Sequence, residues 1–181
     1  FISLVQGDYQ QAVQRSEKIL SVAPEDLWSL GMAGYAHLIP GNYQVAKRYY
    51  EKAIAVSALA SNPFVGRYIT TDLGYISWKM GRQAEAQKLF AQSLKLLQNE
   101  LEKGNESFLV RYDLASINAT QGDKLEAYMW LKAAIDAGWQ KYRLALVDPF
   151  FENLRNDEQF KQMMNQVKLR VEEMRKKAES L

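Results

Sequence analysis

The sequence predicts an all-α fold, an α-solenoid of stacked antiparallel helix hairpins closed by a long C-terminal helix. Composition comes first: twenty Ala and twenty-one Leu stand against three Thr, ten Gly and four Pro, a mixture that loses little rotamer freedom in helices. The second observation is a short turn motif that recurs at Gly7, Gly41, Gly81 and Gly122, spaced by 34, 40 and 41 residues. The third is that small and bulky residues fall at fixed helical offsets from that glycine.

Taken in order, each unit consists of a leading helix, a tight turn at the glycine and a second helix running back. Five residues after the glycine stands Ala in all four units (Ala12, Ala46, Ala86, Ala127), and thirteen after it a large aliphatic residue (Leu20, Ile54, Leu94, Ile135). Nine after it the residue is Ser16, Tyr50, Phe90 or Leu131, and twelve after it Ile19, Ala53, Ser93 or Ala134. These offsets share one helical face. Seven residues before the glycine stands Gly34, Gly74 or Ala115, each preceded by an apolar residue (Ala33, Leu73, Leu114). A glycine inside a helix costs roughly 0.5–1 kcal/mol relative to Ala, so its repeated use predicts close helix contact there.

The residues Leu73-Gly74, Gly81, Ala86 and Phe90 with their counterparts, together with Pro24 after the first second helix, resemble the tetratricopeptide repeat family. The resemblance spans residues 1–137 as about four repeats, the first lacking most of its leading helix. The longer spacings add residues around 58–67 and 98–107. There Asn62-Pro63 reads as a helix start and Gly104-Asn105 as a helix stop.

Residues 138–181 read as a separate C-terminal module. Asp148-Pro149 is placed to cap and start a short helix, and Asp157 to cap a long one. Along that last helix Phe160, Met164, Val167, Val171, Met174, Ala178 and Leu181 recur at steps of 4 and 3 residues, the period of a coiled-coil seam. The seam is expected to cover the final repeat, as open-ended stacks require, or through Val167, Val171 and Met174 to form a homodimer. The module resembles those placed after such repeats in bacterial multidomain signalling proteins, among them membrane-anchored winged-helix activators, adenylate cyclases and protein kinases. The opening Phe-Ile-Ser-Leu-Val, without Met, reads as the start of a piece of something longer.

Composition narrows function. The 23 basic and 21 acidic residues are scattered, so no clustered basic face offers itself to nucleic acid. No Cys is present and His37 is the single histidine, which removes thiolate chemistry and multi-His metal sites. The longest nearly apolar stretch, Trp28 to Pro40, is too short to cross a bilayer, and no direct membrane contact is expected. Whether the compartment is cytoplasm or periplasm stays open. No phosphate-cradling loop, HExxH pair or GxSxG elbow occurs, so no cofactor and no catalytic residue are expected. An enzyme would have to use Asp72 and Asp113 as paired acid and base. His37, four before Gly41, reads as a packing residue.

The family resemblance implies a groove lined by the leading helices, at 13, 10, 9, 6, 3 and 2 residues before the turn glycine. Those positions include Trp28, Met32, Tyr35, Tyr68, Thr71, Asp72, Tyr75, Trp78, Lys79, Leu109, Tyr112, Asp113 and Ser116. Aromatic and Met side chains exposed there would suit a protein or peptide partner. With Asp72 and Asp113 among them, the expected segment is apolar and flanked by Lys or Arg. The alternative is a structural or oligomerisation arm that acts through the C-terminal helix with no peptide ligand.

Overall fold

The computed structural model describes residues 8–62 and 66–180. The described chain is all-α, a helical-repeat fold whose β structure is one isolated bridge between Ser61 and Tyr68. It divides between Asn105 and Glu106 into two compact units. The fourth hairpin therefore packs with the C-terminal module, whereas the sequence pattern changes only after residue 137.

The first unit holds α1 (Tyr9–Leu20), α2 (Leu27–Leu38), α3 (Tyr43–Val56), α4 (Ile69–Lys79) and α5 (Gln83–Glu102). Two helix starts are fixed by carboxylates that accept from the exposed first-turn amides: Asp8 from Gln11 N at 3.0 Å and Asp26 from Ser29 N at 2.7 Å. Helices α2 and α3 close as one hairpin, α4 and α5 as the next, and α3 packs on α4. The turn at Gly81 takes φ +74°, a conformation L side chains rarely adopt. Gly7 lies outside the described residues.

The close approach expected at the intrahelical glycines is present. A Cβ built on Gly74 would sit 2.7 Å from Cε1 and 2.8 Å from Cδ1 of Phe90, and one on Gly34 would collide with the Tyr50 ring. Ala46, Ala86, Tyr50 and Phe90 are fully buried beside these contacts. Each of these two hairpins is thus a ring on one helix seated in a notch on the other, which aligns the pair in register.

Asn62 does not start a helix. Helix α4 begins at Ile69, because the Asn62 amide donates to Arg67 O at 2.6 Å and its carbonyl accepts from Gly66 N at 2.8 Å, which closes a turn instead. Pro63 lies outside the described residues. Gly104 does end α5, at φ +79°.

The second unit holds α6 (Phe108–Gln121), α7 (Lys124–Asp136), α8 (Tyr142–Ala145), a 3-10 turn at Pro149–Phe151 and α9 (Glu158–Glu179). Helices α6 and α7 form a hairpin, the 3-10 turn packs on α6, and α9 packs on α7 and α8. Phe160, Met164 and Val167 of α9 are buried. Asp148 caps as expected, accepting from Phe150 N at 3.3 Å. Asp157 occupies the cap position of α9, yet its carboxylate makes no cap bond. It accepts instead from Lys124 Nζ at 2.9 Å and Tyr128 OH at 3.1 Å. Those bonds, Lys124's first, hold the Asp157 carboxyl below the usual range.

Candidate binding surfaces

The leading-helix row is largely filled by the chain itself. Tyr35, Thr71, Asp72, Tyr75, Tyr112, Asp113 and Ser116, all expected to be exposed, are buried. The reason differs between the two units.

In the first unit the connector between α3 and α4 folds back through the Ser61–Tyr68 bridge and an Ile69 N to Ala60 O bond of 2.9 Å. It delivers Asn62 and Arg67, both fully buried, against Asp72. Arg67 Nε donates to Asp72 Oδ1 at 2.9 Å and Asn62 Nδ2 to Oδ2 at 3.1 Å. Asn62 Nδ2 also lies 3.4 Å from the Tyr50 hydroxyl. Burial, then the Asp72 charge, pushes that hydroxyl well above its usual pKa, so it stays protonated. A buried carboxylate requires a paired, hydrogen-bonded environment, and the chain provides one internally. The expectation that Asp72 attracts a partner's cation is therefore corrected: its cation is Arg67. An acid–base role for Asp72 meets the same obstacle, since the group is sealed from solvent.

In the second unit Tyr112 is covered by the C-terminal module. Its hydroxyl donates to Asp148 Oδ2 at 2.9 Å. The indole of Trp139 stacks on its ring at 4.9 Å between centroids and 17° between planes, and Phe151 lies 5.3 Å away. Ser116 is buried because its hydroxyl turns back onto the Tyr112 carbonyl at 2.8 Å. Asp113 is 1% exposed, so it too is removed from any ligand.

What stays accessible of the expected row is Trp28, at 57% exposure, Lys79, and the half-buried Met32, Tyr68, Trp78 and Leu109. On α9, Val167 is buried, Val171 half-buried and Met174 exposed. The proximal part of the proposed self-association seam is thus consumed by internal packing, which corrects Val167 as a dimer contact. His37 stacks on Tyr49 at 5.7 Å, and burial lowers its pKa, as suits a packing residue.

One surface was missed from sequence. A cleft of about 850 Å³ opens between α3 and α5, lined by Ile54, Leu59, Thr70, Lys95, Leu96 and Glu102 among others. It exists because α5 is 20 residues long against 14 for α3, and because the connector presents Leu59 at 61% exposure. The lengthened spacing was visible; the outward placement of Leu59 had no local signal.

The hairpins α2–α3 and α4–α5, each closed by an aromatic ring on a glycine, decide the comparison with known families. Residues 29–58 and 71–99 match the tetratricopeptide repeat family. The matched segments cover about a third of the chain and coincide with those two hairpins. Tetratricopeptide repeats generally mediate protein–protein interaction. No curated protein matches the chain. Among the described residues no group of acidic and histidine side chains is placed to hold a metal ion, and no helix is long and apolar enough to cross a membrane.

Proposed function

We propose that this chain is a non-enzymatic protein-binding scaffold, the interaction or regulatory arm of a larger bacterial signalling or transcription-regulatory protein. The observation that carries the scaffold reading is the pair of consecutive tetratricopeptide hairpins with accessible Trp28, Met32 and Tyr68 on their leading-helix row. The bacterial signalling context rests on the resemblance of the C-terminal module. Recognition on rigid hairpins loses little ordering entropy on binding, and large aromatic surfaces dominate such contacts.

The partner is an apolar segment. A requirement for flanking Lys or Arg is dropped, because Asp72 is neutralised by Arg67 and Asp113 is buried. A random-peptide display library selected against the chain tests this reading. Enriched sequences should be apolar, and Trp28→Ala and Tyr68→Ala should each weaken their binding in calorimetry at least tenfold, the loss of one contact residue, with thermal unfolding unchanged. Binders that ignore both substitutions, or no binders at all, would overturn it.

A further inference from the structure

The groove between α1 and α3 and the groove between α3 and α5 are treated differently by the chain. Across the first, Tyr49 OH donates to Glu17 at 2.9 Å and His37 stacks on Tyr49, which ties its two walls together. Across the second, Ile54, Leu59 and Leu96 leave an apolar cleft. Lys95 and Glu102 flank it, both exposed, and neither makes an ion pair within 4 Å among the described residues.

Some exposed helix charges pair along their own helix, as in Lys132–Asp136, Lys168–Glu172, Lys177–Glu173 and Arg175–Glu179, whereas Lys95 and Glu102 do not. Lys95 and Glu102 are seven residues apart, close to two helical turns, so they share one face about 10 Å apart along the axis. Midway lie Gln98 and Asn99, both exposed on the cleft. Glu102 accepts a long 3.4 Å bond from Gln98 Nε2, which leaves its carboxylate able to take a cation.

We propose that the cleft is occupied by a second copy of this chain, with the two α5 helices antiparallel about a twofold axis at Gln98-Asn99. A two-fold contact must be self-complementary: residue i meets j, and j meets i. Antiparallel pairing about that point sets Lys95 against Glu102 of the other copy and Glu102 against its Lys95. It sets Gln98 against Asn99, two amides that can donate and accept in either direction. A parallel pairing would oppose like charges. The apolar floor with Leu59 supplies the area, and the two charge pairs set register and orientation.

Light scattering and sedimentation equilibrium on the full chain test this. The expected result is a concentration-dependent dimer that Leu59→Glu dissociates. Lys95→Glu and Glu102→Lys should each weaken the dimer about fivefold at low salt, the scale of paired rim charges, and the double variant Lys95→Glu/Glu102→Lys should restore it. These substitutions are on exposed side chains, and helical circular dichroism should remain unchanged. A monomer at every concentration overturns the proposal. So does a dimer whose charge variants are not rescued in combination, or one insensitive to Leu59→Glu and lost on Met174→Glu, which would place the contact on α9.

Discussion

The two units fill the same row of leading-helix positions by different chemistry. In the first, a connector inserted between repeats carries an arginine onto a buried aspartate. In the second, the C-terminal module carries an indole and an aspartate onto a buried tyrosine. The hairpins themselves also differ in the size of ring and notch. Tyr50 and Phe90 sit on glycines in the first unit, whereas the corresponding positions in the second are Leu131 and Ala115, both buried. The lesson is that a repeat fixes backbone geometry, while closure of its inner row is left to whichever irregular segment is at hand.

The strongest way to break the first unit's arrangement is Arg67→Ala. It leaves the Asp72 carboxylate buried without its cation, a loss of about 3–5 kcal/mol that urea unfolding would measure. Because buried ion pairs give specificity more readily than net stability, Arg67→Met with Asp72→Leu should recover most of that loss. If Arg67→Ala unfolds like the parent, the pair is not the closure described.

A smaller effect is expected in the second unit. Tyr112→Phe removes one donor from Asp148 while keeping the stack on Trp139, and costs about 1.5–3 kcal/mol, the range for a hydrogen bond to a charged group. Asp148 keeps its bond to Phe150 N, so the loss should stay below that of Arg67→Ala. An equal or larger loss would reverse the ranking of the two closures.

The smallest effect is expected to sharpen the comparison by converting one hairpin into the other. Gly74→Ala drives a methyl into the Phe90 ring and costs about 1–2 kcal/mol by overpacking. Adding Phe90→Leu reproduces the Ala115 and Leu131 pairing and should return thermal stability close to that of Phe90→Leu alone. Additive losses in the double variant would show that the notch and ring do not act as a pair.

The hairpins were legible from sequence because their cause is local and periodic. Gly34, Gly74, Ala46, Ala86 and the turn glycines each do one steric task at a fixed offset. The inner row was not legible, because the same offsets describe an aromatic that faces a partner and one that faces its own chain. Tertiary cover is what distinguishes Tyr75 from Trp28, and the cover comes from nonrepeating segments. Arg67 and Asp72 are five apart in sequence, yet the repeat offsets say nothing of their pairing. Tyr112 and Asp148 are 36 apart, and no pattern links them. Asp148 and Trp139 tie the fourth hairpin to the C-terminal module through Tyr112.

The internal counter-ion of Asp72 limits how freely these repeats can be exchanged. A hairpin α4–α5 grafted into an artificial array would import a carboxylate into a dry interface, and would need its own preceding connector to neutralise it. Transplants cut at the start of α4 should therefore misfold or aggregate, whereas those cut upstream of Ala60 should be portable, so the building block of this chain is the hairpin together with the strap that enters it.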